Sequence, residues 1–161
     1  MKLSRTLIIT YCLLSITLSG CSIFALLSAK TPEIKGLKKI IISEISLSEV
    51  EFTITLEVLN ENSFSADVKK AQYKVFLNNE YLGSGVSEKT QTLYDNKISD
   101  LELPLKVKYK DLPSGTVALI KDILKGKKIK YKVEGDADVE AEGFSASVSI
   151  DIEKELIANK N

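Results

Sequence analysis

The chain has 161 residues, 44% hydrophobic and 27% charged, with 22 basic side chains against 22 acidic ones. It contains no histidine, and its one arginine is Arg5. These facts remove the usual general base, the commonest metal ligand and the basic excess of a nucleic-acid binder, and they leave no arginine fork for phosphate beyond Arg5.

The first element is a leader. Lys2 and Arg5 precede an apolar run from Leu7 to Leu18, which ends in Leu18-Ser19-Gly20-Cys21. This layout resembles the signal of a bacterial lipoprotein, whose lipobox reads Leu-small-small-Cys. The resemblance implies cleavage before Cys21 and diacylglycerol on its sulfur, so residues 1–20 leave the fold problem and the remainder is held to a membrane. Two other readings stay open. One is a secretory signal with a chance cysteine. The other is an uncleaved anchor, since no charge occurs between Thr6 and Ala29 and about 20 apolar residues span a bilayer. Against the anchor, Ser15, Thr17, Ser19, Gly20, Cys21 and Ser22 weaken the middle of the run, and Lys30, Lys35, Lys38 and Lys39 follow it. All three place the rest of the chain outside the cytoplasm or at a membrane. Under the sorting rule of Gram-negative bacteria, Ser22 after the lipidated cysteine points to the outer membrane, facing the periplasm.

Cys12 lies inside the leader, so the mature chain has one cysteine, acylated, and no disulfide. Removing Lys2 and Arg5 leaves 20 basic and 22 acidic residues, a net charge of −2. About 130 residues suffice for one hydrophobic core.

Residues 21–36 read as the lipidated N-terminus and a linker, with Thr31-Pro32 breaking any helix. A domain over 37–156 and a tail over 157–161 follow. The first strand covers Lys39 to Leu47, where Ile41, Ser43, Ile45 and Leu47 are not cleanly sorted. From Val50 to Val58 the period is two: Val50, Phe52, Ile54, Leu56 and Val58 share one face. Tyr73, Val75 and Leu77 repeat it. Asn78-Asn79 and Gly83 to Gly85 supply turns around a short strand near Tyr81 to Val86. Leu101, Leu103, Leu105, Val107 and Tyr109 alternate again, and Pro104 makes that strand an edge or a bulged one. Val117, Ile120, Ile123 and Leu124 fall on one face of a helix over 114–125, between Pro113 and Gly126. Ile129, Tyr131 and Val133, then Ala146, Val148, Ile150 and Ile152, complete the set. About seven strands with one helix predict a mostly β fold, a two-sheet antiparallel sandwich.

The strand from Val50 to Leu59 runs into Asn60-Glu61-Asn62. Tyr73-Lys-Val-Phe-Leu-Asn-Asn-Glu-Tyr-Leu-Gly, Leu101-Glu-Leu-Pro-Leu-Lys-Val, a helix and Tyr131-Lys-Val-Glu-Gly135 follow in order. This order is similar to the group 2 late embryogenesis abundant proteins, also called the water stress and hypersensitive response domain, from about Leu37 to Leu156. The family pattern has Asn-Pro-Asn where Glu61 replaces the proline, and Asn60 and Asn62 can still make side-chain turns. The resemblance implies an immunoglobulin-like or fibronectin-like sandwich and protection of proteins or membranes under dehydration or other stress. It carries over no catalytic residue.

Catalysis has little to draw on. Without histidine or a mature thiol, a Ser-His-Asp or Cys-His set is excluded, and no serine stands three residues before a lysine. Glu134, Asp136, Asp138, Glu140 and Glu142 share one strand face, and Asp136, Asp138 and Glu140 are its candidate calcium ligands. The calcium-loop template fails at Ala141 and Ser147, so a solvated strand face is the better reading. Lys106, Lys108 and Lys110, with Lys128, Lys130 and Lys132, would form one basic patch for lipid headgroups if their strands were neighbours. Tyr73, Tyr109 and Tyr131 read as core. The sequence therefore predicts a monomeric, lipid-anchored, non-enzymatic envelope protein. It would use no cofactor, metal or nucleic acid, and its partners would be broad protein clients or lipid headgroups. Two alternatives are a module binding a lipid or apolar ligand beside Ile120, Ile123 and Leu124, and a structural subunit that docks a partner along an open sheet edge.

Overall fold

Each strand here has one face to bury and one to wet, and that decides the architecture. A computed structural model describes residues 29–112 and 115–157. The chain forms β1 (Glu33–Ile45), β2 (Glu49–Asn60), β3 (Ala66–Leu77), β4 (Glu80–Ser87), β5 (Gln91–Leu93) and β6 (Lys97–Lys108). A 3-10 turn (Tyr109–Asp111), α1 (Thr116–Leu124), β7 (Lys128–Ala141) and β8 (Phe144–Ile157) follow. One sheet has the order β1-β2-β6. The other has the order β4-β3-β7-β8, with β5 added beside β3. All pairings are antiparallel. This is the expected sandwich, with Gln91–Leu93 as the additional strand.

β2 is the clearest strand. Val50, Phe52, Ile54, Leu56 and Val58 are all buried, and they face Leu101, Leu103, Leu105 and Val107 of β6 across a register without irregularity. β6 is an edge, and Pro104 sits opposite Thr53. An edge tolerates the missing donor. From the second sheet, Tyr73, Val75, Leu77, Tyr131, Val133 and Ile150 close the core.

β1 departs from expectation. It starts at Glu33, inside the segment expected as linker, and ends at Ile45. Its register shifts between Ile34 and Gly36, between Leu37 and Lys39, and between Ile42 and Glu44. Each irregularity resets the period of two. Leu37 and Ile40 are therefore the buried residues, Ile45 is exposed, and Leu47 lies fully exposed in the turn.

Asn78 and Asn79 do form the β3–β4 turn, both at positive φ, as a two-residue hairpin requires. Gly83 and Gly85 make no turn. They lie within β4, opposite Val75 and Tyr73. The helix is shorter than expected at both ends, and Pro113, Ser114 and the Leu124 side chain lie outside the described residues. Thr116, Ile120 and Ile123 are buried while Val117 is 38% exposed, so the inward stripe is offset by one residue at its start. The Thr116 hydroxyl lies 3.5 Å from the Glu80 carboxylate, which can accept from it. That carboxylate also lies at the positive end of the helix. Gly126 (φ +70°) ends α1: its N–H donates to the Ile123 carbonyl, and that of Lys127 to the Asp122 carbonyl. The pattern is a Schellman cap.

The lysine patch does not form. β6 belongs to the first sheet and β7 to the second, and three of these lysines are engaged separately. Lys106 pairs with Glu51 and Glu49, Lys130 with Glu153 at 2.9 Å, and Lys132 with Glu134.

The gap between Ile40, Phe52, Ile54, Val75, Leu77, Leu82 and Tyr131 is too narrow for a water molecule. The Tyr131 hydroxyl is buried there without a hydrogen-bond partner, and burial pushes its phenol up to about 12. A folded pKa above the ordinary value of about 10 means that the neutral form is favoured by folding. That contribution is complete below pH ~10 and is lost as pH rises towards ~12. Tyr131→Phe should therefore raise stability at pH 7 by about 1 kcal/mol and flatten the decline in urea midpoint above pH ~10. A variant less stable than the parent, with an unchanged alkaline decline, would show that the hydroxyl is bonded.

Candidate functional site

An open concavity lies on the outer face of the five-stranded sheet, where two glycines flank one tyrosine. Tyr73 of β3 is opposite Gly85 on one side and Gly135 on the other. Its ring turns over Gly85, where a Cβ would come within 2.5 Å of a ring carbon. Its hydroxyl donates to the Pro104 carbonyl of β6, joining the two sheets. Burial pushes the phenol far above its usual range. At Gly135 a Cβ would lie 2.0 Å from the Gln72 carbonyl oxygen, so the β3 and β7 backbones approach as only glycine allows. Around these residues, Gln72, Lys74, Ser84, Val86, Glu134 and Asp136 line an open depression of about 450 Å³.

The chemistry of this depression is that of a mixed-charge surface. Glu134 is already paired with Lys132, whose ammonium is held above its ordinary range chiefly by that hydrogen bond. Lys74 and Asp136 add one charge of each sign. Such a face can form polar contacts with many partners, but it aims no set of groups at one reacting atom.

The candidate calcium residues Asp136, Asp138 and Glu140 do lie on one face of β7, all exposed. Alternate residues of a strand stand about 6.8 Å apart, and the neighbours opposite them are Gln72, Lys70 and Asp67 on β3 and serines on β8. Lys69 reaches Glu140 at 4.0 Å and Asp67 at 2.9 Å. Lys69, then Thr92, holds the Asp67 carboxyl below its usual range. Among the described residues no three histidine, cysteine or acidic side chains group around a common point.

Asn60 and Asn62 come together as a buried corner. The Asn60 oxygen accepts from the Asn62 backbone N–H at 3.0 Å and from the Asn62 side-chain amide at 2.9 Å. The Asn60 amide nitrogen donates to the carbonyls of Phe64 at 2.9 Å and Leu93 at 3.1 Å. The side-chain turn expected from the two asparagines is present without the proline, and Asn60 also ties the end of β2 to β5. That reach spans 33 residues of sequence, so local reading could not find it. Cys21 lies outside the described residues. Sequence reasoning missed Gly85 as the seat of the Tyr73 ring. The available signal was the alternation Leu82-Gly83-Ser84-Gly85-Val86, which places both glycines on one strand face.

The family model described as late embryogenesis abundant protein matches residues 55–155. A crystal structure of a protein from Archaeoglobus fulgidus is similar over 79% of this chain and 98% of that one, with a TM-score of 0.52 and 16% identity. A solution structure of a protein from Arabidopsis thaliana is similar over 83% of this chain and 87% of that one, with a TM-score of 0.59 and 14% identity. Both likenesses concern the fold. The chain matches no curated protein.

Gly135→Ala should destabilise the domain by more than about 2 kcal/mol, as forced overpacking does. At Gly36 a Cβ meets nothing within 4 Å, so Gly36→Ala should stay within about 0.5 kcal/mol. Equal urea midpoints for the two variants would contradict the close approach of β3 and β7.

Proposed function

The chain belongs to the late embryogenesis abundant protein family, and from that premise we propose a lipid-anchored, non-catalytic sandwich that protects neighbouring proteins or membranes at the cell envelope under desiccation or other stress. The single observation that carries this reading is the close packing of the described core. Ile120 and Ile123 of α1 are buried in the core, and the gap beside Tyr131 admits no water. Among the described residues, an apolar ligand therefore finds no chamber at that gap, and contact with other molecules falls to the outer surface.

That surface suits broad, weak association. Some of its charges are held in exposed pairs such as Lys38 with Asp100 and Lys69 with Asp67, each worth little energy on its own. Side chains such as Ile45, Tyr94 and Ile98 are more than half exposed. Weak contacts of this kind separate unfolding clients without fixing one partner. The anchor belongs to the same proposal: Leu18-Ser19-Gly20-Cys21 supplies the lipidation signal, and Ser22 directs the protein to the outer membrane facing the periplasm.

Residues 22–161 should suppress light scattering by two dissimilar enzymes during drying or heating, at near-stoichiometric ratios and without ATP. Single surface substitutions should weaken this only slightly. In cells, Cys21→Ser should abolish acyl labelling and leave uncleaved precursor. No advantage over an equal mass of inert protein for either enzyme would refute protection, and normal labelling of Cys21→Ser would refute the anchor.

A further inference from the structure

We propose that the open edge of β8, from Phe144 to Ile150, pairs with the same edge of a second copy of this chain. The other edges are guarded. β4 lies against β6, where a Cβ on Gly83 would sit 3.3 Å from Val107. Beyond it, the Gln91 side chain bonds the Glu102 carbonyl at 2.8 Å and the Glu102 amide at 2.7 Å. β6 carries Pro104, Lys106 and Lys108. β1 carries three irregularities and Lys35, Lys38 and Lys39. Charges, proline and irregular register are the devices that discourage strand addition.

β8 lacks them in its first half. Among the described residues it pairs with β7 alone, through an unbroken register. Phe144-Ser-Ala-Ser-Val-Ser-Ile150 contains no charge, proline or glycine. Its second half differs: the Lys154 ammonium reaches the Leu37 carbonyl of β1 at 3.0 Å. Thus β1 attends to one half of β8 and leaves the other.

The segment is also complementary to itself. Glu142 and Gly143, both at positive φ, form a two-residue turn between Ala141 and Phe144. Such a hairpin closes on a hydrogen-bonded pair. Ala146, Val148 and Ile150 therefore bond to β7, while Ser145, Ser147 and Ser149 turn their backbone groups to the open side. A two-fold axis at Ser147 then pairs Ser145 with Ser149, Ala146 with Val148, and Phe144 with Ile150. Apolar residues meet on the core side, serines meet outside, and no like charges face each other. Phe144, 62% exposed in one copy, gains an isoleucine neighbour. An isologous pair of this kind is the commonest closed assembly, and the proposal differs here from the monomer expected from sequence.

The test uses the full-length chain in detergent with Cys12→Ser and Cys21→Ser. Adding Ser147→Cys places two thiols opposite each other at a Cα separation of about 5.5 Å, within disulfide reach. Mild oxidation should give a covalent dimer at least 10-fold faster than with Ser84→Cys, an exposed position on β4 of the same sheet. Combining Ser147→Cys with Ser145→Lys and Ser149→Lys should suppress the dimer, because it sets lysine against lysine. Ser145→Lys with Ser149→Glu should restore it. All four positions are exposed, and equal melting temperatures would show that folding is intact. Equal rates for Ser147→Cys and Ser84→Cys, or a double-lysine variant that cross-links as readily as the charge-matched one, would overturn the proposal.

Discussion

Tyr73 crosses from one sheet to the other, and the sandwich is shaped around that crossing. Its ring needs the bare backbone of Gly85 beside it, and its hydroxyl ends on the Pro104 carbonyl of the opposite edge strand. The contact ties β3 to β6, and on the same side Gly83 of β4 lies close to Val107 of β6. A phenol with its hydroxyl bonded can cross an apolar layer without the penalty of an unmade hydrogen bond. With no disulfide in the described domain, the two sheets are held by this contact, by the apolar interior and by a few polar ties such as the Asn60 corner.

Closure of the sandwich determines where function can reside. A cradle for lipid needs sheets that part, or a helix that stands away from them. Here α1 is packed down through Ile120 and Ile123, and its start is held near β4 by Glu80. What remains for molecular contact is the outside: a polar depression over Gly135, paired charges on both sheets, scattered exposed apolar residues and the edge of β8. These features favour shallow, reversible association over capture in a pocket.

Much of the fold was legible because long strands with one wet face repeat without interruption. β2 and β6 are the best cases, and their pairing has no register shift. Reading failed where the period was broken or where the answer depended on distant partners. β1 has three irregularities, so its buried residues follow no simple alternation. Gly83 and Gly85 resemble turn residues until Tyr73 is known to lie beside them. The helix stripe began at Thr116, a polar residue whose burial no apolar pattern signals. The lysine patch depended on β6 and β7 being neighbours, which no local pattern specifies. At the candidate site, the mutual turn of Asn60 and Asn62 could be read locally, whereas the bond from Asn60 to Leu93 could not.

The central claim is that this sandwich works from its surface because its interior is closed. The most direct measurement is titration of a fluorescent long-chain fatty acid into residues 22–161, followed by emission and by amide NMR shifts. The account predicts no saturable binding up to about 100 μM, well short of the millimolar range where roughly 4 kcal/mol of affinity would register, and no shifts at Leu82, Ile120 or Tyr131. Saturable one-to-one binding, with shifts at those core residues and loss of binding on Leu82→Trp, would contradict it.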